Sequence, residues 1–220
     1  MGEAAGPTGY KVAKAVLSRP LLAAYQISVD GPRDLPAGPV IVAANHRSFM
    51  DSLFVALVVD RPVSFLAKAE YFDRRRTAWM FRATGQIPIR RGSPAGAREA
   101  LEAAEDVLSA GGVVGVYPEG TRSRDGKLHR GHLGPARLAR SSGAPIVPLG
   151  LVGTEEVQSP GQRLPRPRKK VSVRFGVPRW INSGEANNSQ RLREFTDLVM
   201  DDIARLCGQP SSDRFALVNA

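Results

Sequence analysis

Cysteine occurs once in this chain, at Cys207, which excludes an internal disulfide and a CxxC redox or metal pair. Long apolar runs are missing as well: no segment approaches the roughly 18–20 consecutive apolar residues of a spanning helix. Acidic side chains are in deficit, with 21 Asp and Glu against 31 Lys and Arg, a formal net charge of +10. That balance favours an anionic partner, whether nucleic acid, an anionic membrane surface or a phosphorylated substrate. Aromatic residues make up only 6% and do not interleave with basic ones, so nucleic acid is the least favoured of the three. No GxSxG elbow marks a nucleophilic serine, and Cys207 sits on the apolar face of a helical pattern, where it reads as core. The segment GTRSRDGKL misses the phosphate-loop pattern, because five residues rather than four separate Gly120 from Gly126-Lys127 and Leu128 follows. His129 and His132 have metal-like spacing but no supporting cluster of cysteines or carboxylates, so no metal site is expected.

What is present is a foldable α/β chain. Hydrophobic residues reach 42%, enough for a core, and strand-like and helix-like stretches alternate. Strands are expected at 39–44, 63–67, the IPI run, 113–117, 145–152 and VSVRF. Helices are expected at about 48–59, 77–84, from Pro94 to Gly111, 133–142 and from Ser189 onward. The pattern predicts a mixed, mostly parallel central sheet flanked by helices. Residues 1–30 read as a short N-terminal helical arm in two pieces broken at Pro20, either packed on the core or lying in a membrane interface. Residues 31–208 form the main domain, and 209–220 a loose tail. The Pro-rich basic stretch RLPRPRKK is expected to be a loop, either solvated or attracted to anionic lipid.

Two polar stretches follow apolar strands: NHRSFMD after PVIVAA, and PEGTRS after VVGVY. The carboxyl ends of strands in open α/β sheets are where ligands bind. A neutral imidazole at His46 accepts a proton well only when a carboxylate fixes its tautomer, and Asp51 is close enough in sequence to do so across a turn. With no marked nucleophile, the dyad suggests that a substrate hydroxyl is deprotonated directly. Arg90-Arg91 and Arg122 supply guanidinium forks that match phosphate oxygens.

In this order the blocks resemble the glycerolipid acyltransferases, specifically the 1-acyl-glycerol-3-phosphate (lysophosphatidate) type. NHRSFMD is similar to that family's His-x4-Asp block, with His46 and Asp51 as its pair. GQIPIRR resembles the second block with Arg91 as its arginine; YPEGTRS the third, with Glu119, Gly120 and Arg122 in place; IVPLG, with Pro148, the fourth. The resemblance implies His46 as general base oriented by Asp51, and Lys68 near the developing oxyanion. It implies a glycerophosphate-binding region comprising Arg91, Glu119, Gly120, Thr121 and Arg122. It also implies no bound cofactor, acyl-CoA or acyl-carrier protein as the donor co-substrate, and a lysophospholipid acceptor. The expected location is cytoplasmic, peripheral on the inner face of the cell membrane, and the Ala-, Arg- and Gly-rich composition fits a high-GC bacterium. Two departures keep other acceptors open (glycerol-3-phosphate, another lysophospholipid, a glycolipid or a secondary metabolite). Arg90 stands where an acid is common, and Leu128-His129-Arg130-Gly131 replaces a usual Phe-Lys-x-Gly. A non-catalytic, basic membrane-binding module is the alternative from another class.

Overall fold

The computed structural model of the 220-residue chain describes residues 7–73, 78, 81–82, 84–90, 94–162, 164–181 and 189–217. Helix α1 spans Pro7–Ala24 and strand β1 Gln26–Asp30. Then come β2 (Val40–Ala44), α2 (Asp51–Val58), β3 (Val63–Lys68), α3 (Glu70–Asp73) and β4 (Ile87–Ile89). The second half holds α4 (Pro94–Ser109), β5 (Val113–Val116), α5 (Gly134–Ser142), β6 (Ile146–Val152), α6 (Thr154–Val157), β7 (Lys170–Phe175) and α7 (Ser189–Cys207).

The strands form one seven-stranded sheet in the order β1-β7-β6-β2-β5-β3-β4. Every neighbouring pair is parallel except β6 with β7. The mixed, mostly parallel sheet expected from the sequence is therefore the fold. Strand β2 lies between β6 and β5, and all five of its residues are buried, as continuous apolar runs in central parallel strands require. Alternation sorts its side chains between two cores. Val40, Val42 and Ala44 pack with Phe54, Phe65 and Val173 on the face covered by α2. Ile41 and Ala43 pack with Leu108, Leu138 and Ile203 on the face covered by α4, α5 and α7. Cys207 is buried in that second core, as its helical position suggested.

Three expectations change. The N-terminal helix runs through Pro20 and ends at Ala24; residues 26–30, read as part of the arm, are an edge strand paired in register with β7. The signal was the alternation Ile27, Val29 against Ser28, Asp30, too short to stand out beside the helical pattern before it. The segment from Gln209 is not loose: Gln209 and Ala216 are buried, and Leu128 bridges to Ser211. The helix expected from about residue 48 starts at Asp51, and the Ser48 hydroxyl accepts the Met50 amide at 3.1 Å in the turn before it. Of the helix expected over 77–84, residues 77, 79, 80 and 83 lie outside the described residues, and 78, 81 and 82 are helical.

Candidate active site

The chain leaves β2 at Ala44 and must turn, and the turn is built from side chains. Asn45 continues the strand's pairing: its Nδ2 donates to the Leu151 carbonyl at 2.9 Å and its Oδ1 accepts the Leu151 amide at 2.7 Å. Asp51, the first residue of α2, then reaches back over residues 46–48. One oxygen, Oδ2, accepts from the Arg47 amide, the Ser48 amide and His46 Nδ1, each at 2.8 Å. Asp51 is fully buried, and its other oxygen has no hydrogen-bond partner among the described residues. Its Oδ2 thus faces the imidazole from the amino end of α2, where the helix dipole and the two backbone amides favour a carboxylate.

An ionised carboxylate only accepts, so His46 donates from Nδ1 and leaves Nε2 as the basic nitrogen. The ring is held flat against Tyr117, with centroids 3.8 Å apart and planes 8° apart. Tyr117 in turn stacks on Phe65 at 5.5 Å, and its hydroxyl lies 2.8 Å from the Ser52 hydroxyl. Burial, then the nearby Asp51 charge, raises the Tyr117 phenol well above its ordinary value, so it stays neutral. Sequence reading gave Tyr117 no role; its place as the last residue before PEGTR was the available signal.

The loop after β5 grips the backbone of His46. Glu119 Oε1 accepts the His46 amide at 3.1 Å, and the Ser123 amide donates to the His46 carbonyl at 2.7 Å. Glu119 Oε2 accepts the His129 amide at 3.0 Å. Burial pushes the Glu119 carboxyl up to about 7, against the opposing pull of those two amides. Glu119 was expected to touch substrate; instead it is fully buried with both oxygens engaged, and it positions the turn. Gly120 has φ +72°, a left-handed conformation that glycine adopts without strain, and a side chain there would meet His132. Thr121 and Arg122 are partly exposed on the same loop.

An apolar cavity of about 530 Å³ opens beside the ring. Its wall includes His46, Tyr117 and Arg122, together with Leu53 of α2, Phe65 of β3 and Leu21 of α1. Among the described residues no carboxylate pairs with Arg122, whereas Arg47 is tied to Glu155 at 2.7 Å. The structure therefore brings His46, Asp51 and Arg122 together at the carboxyl ends of β2 and β5. Lys68 closes β3 in register with Ile89, and its side chain lies outside the described part of the structure. Arg91 lies outside the described residues. His129 Nε2 pairs with Asp125 at 2.9 Å, while the His132 ring stacks on Phe215 at 4.9 Å. Among the described residues no group of three or more His, Cys, Asp or Glu side chains could hold a metal ion.

A family model described as Acyltransferase matches residues 26–152. A chloroplastic 1-acyl-sn-glycerol-3-phosphate acyltransferase of Arabidopsis thaliana is 30% identical over 152 residues, which is 68% of this chain and 42% of that protein. A probable 1-acyl-sn-glycerol-3-phosphate acyltransferase of Mycoplasma pneumoniae is 27% identical over 167 residues, 70% of this chain and 61% of that one. Among solved structures, the 1-acyl-sn-glycerophosphate acyltransferase PlsC of Thermotoga maritima superposes with a TM-score of 0.67 at 26% identity, covering 90% of this chain and 78% of that chain. The match thus spans only part of the curated relatives, from 42% of the plant protein to 61% of the mycoplasmal one.

Proposed function

Because the chain belongs to the acyltransferase family, we propose that it moves a fatty acyl group from a thioester donor, acyl-CoA or acyl-carrier protein, to the free hydroxyl of 1-acyl-glycerol-3-phosphate, giving phosphatidate. One observation carries this reading: the His46–Asp51 pair opens on an apolar cavity whose wall also holds Arg122. Nε2 of His46 takes the acceptor's hydroxyl proton, Asp51 holds Nδ1, and the acceptor oxygen attacks the thioester carbonyl. The tetrahedral intermediate collapses with loss of the C–S bond, and the departing thiolate recovers the proton from His46. No protein-bound ester forms. Positioned proton transfer of this kind is worth roughly 10²–10⁴-fold in rate.

The acyl chain occupies the cavity along α2, where Met50, Leu53 and Leu57 offer apolar contact. The acceptor's phosphate is taken by Arg122, and the family resemblance assigns Arg91 as the second guanidinium and Lys68 to the stabilisation of the developing oxyanion. Access to lipid is by contact with an anionic membrane surface. Among the described residues no helix is long and apolar enough to cross a membrane, while Leu22 and Leu164, next in sequence to the cavity-lining Leu21 and Pro165, are 56% and 76% exposed. The loop carrying Leu164 is tied to α1, because the Arg168 amide donates to the Ala24 carbonyl at 2.7 Å.

The test is a reaction of the purified protein with one acyl-CoA and a mixture of acceptor lipids, read by thiol release and product mass. Phosphatidate formed in step with free thiol is the expected result. Thiol release without an esterified acceptor, or a dominant product lacking phosphate, would overturn the proposed acceptor.

A further inference from the structure

The segment after α7 lies outside the region that the family model covers, yet it reaches the back of the candidate active site. Gly208, with φ +71°, ends the helix in a left-handed turn and sends the chain inward. Gln209 is buried there and bridges two loops. Its Oε1 accepts from Asn45 Nδ2 at 2.7 Å, next to His46, and its Nε2 donates to the Gly126 carbonyl at 2.9 Å, in the loop that follows PEGTR. Beyond it the chain runs beside residues 128–130. The Leu128 amide donates to the Pro210 carbonyl at 2.9 Å, the Ser212 amide to the Leu128 carbonyl at 2.8 Å, and the Arg130 amide to the Arg214 carbonyl at 3.0 Å. The amides of Leu128 and Arg130 thus face this segment, while the His129 amide between them donates to Glu119. Phe215 completes the attachment by stacking on His132, with the Arg130 and Arg193 guanidiniums over its ring.

We infer that residues 209–215 act as a strap that positions His46, and that Gln209 is its principal positioning residue. Two routes run from the strap to the imidazole. The first goes through Asn45, one residue before His46. The second goes through residues 128–130 to Glu119, whose other oxygen holds the His46 amide. Asn45 and Gln209 are both buried, and each amide would lose a partner if the other were removed, which costs more than a surface contact of the same kind. A cavity of about 430 Å³ lies alongside, lined by Ser211, Ser212 and Asp213 of the strap, by residues 128–131 and by Asp197, Met200 and Asp201 of α7. The kinetic part of the inference rests on the acyltransferase reading; the geometric part does not.

The experiment compares wild type with Gln209→Ala and Gln209→Glu, the second of which can still accept from Asn45 but cannot donate to Gly126. Amide hydrogen exchange at His46 and His129 is measured alongside acyl-transfer kinetics. The strap requires faster exchange at those two amides in both variants with β2 and β5 protection unchanged, and more so for Gln209→Ala. It also requires kcat lowered on the order of ten- to a hundredfold at unchanged acceptor KM, the scale that small misplacement of a reacting group produces. Wild-type exchange at His46 and His129 would overturn it. So would a uniform loss of protection across the sheet, which is what a merely structural residue produces. Absence of acyl transfer by the wild type would count against the proposed function, and the exchange result would still decide the strap.

Discussion

His46 is held on every side that a proton acceptor needs: Nδ1 by Asp51, the ring face by Tyr117, the amide by Glu119 and the carbonyl by Ser123. Asp51→Asn keeps the size but lets an amide nitrogen face Nδ1, which favours the wrong tautomer. The expected effect in steady-state assays is a kcat loss of about three to four orders of magnitude with little change in fold. Glu119 makes a second, separable prediction. Its carboxyl is raised from 4.5 to about 7 by burial, so between those values the folded protein keeps a proton that the unfolded chain has lost. The contribution of Glu119 to stability is therefore greatest below 4.5, falls as pH rises to about 7, and is flat above. The stability advantage of wild type over Glu119→Gln, measured by denaturant unfolding, should shrink across that window by on the order of 2–3 kcal/mol. An advantage that grows with pH there would contradict the assignment. The His46–Asp51 pair was legible in the sequence because both members belong to one short turn. The grip of Glu119 was not, because it joins His46 across 73 positions and looks in sequence like a substrate ligand.

Element by element, what could be read was what burial alone dictates. Strands β2, β5 and β6 are interior strands buried on both faces, β2 and β5 parallel to both neighbours and β6 parallel to β2, so they appear as unbroken apolar runs. Strand β1 is an edge strand whose only mark is a brief alternation, and the strap has no periodicity, since it is held by side-chain and backbone bonds to loops. Close approach also escapes a linear reading. A Cβ at Gly115 of β5 would lie 2.3 Å from the Phe65 ring, which is itself stacked on Tyr117. Gly115→Ala should cost about 1–3 kcal/mol in unfolding experiments and lower kcat through the displaced Phe65–Tyr117–His46 stack. Helix α2 carries a different expectation, since Leu53 lines the cavity: Leu53→Trp should shift donor preference toward shorter acyl chains in a competition assay. Unchanged preference would remove the acyl chain from that cavity.

For the whole molecule, the net charge of +10 and the exposed apolar residues point the same way. Vesicles rich in anionic lipid should bind the protein more tightly than zwitterionic ones, with affinity falling as salt is raised. Replacing exposed Arg166, Arg168 and Lys170 by serine should weaken sedimentation with anionic vesicles by about a hundredfold, at roughly 1 kcal/mol for each basic residue near the surface. The sheet order places β2 beside β5, so the two polar loops that follow them meet at one edge although 73 residues separate His46 from Glu119. That meeting joins a histidine oriented by a carboxylate to a greasy pocket, and the chemistry proposed depends on it. The most direct measurement is turnover of acyl-CoA and lysophosphatidate by purified His46→Ala beside wild type, with circular dichroism confirming that both are folded. A folded variant whose phosphatidate formation has fallen at least a hundredfold is the expected result. A folded variant turning over at the wild-type rate would contradict the account.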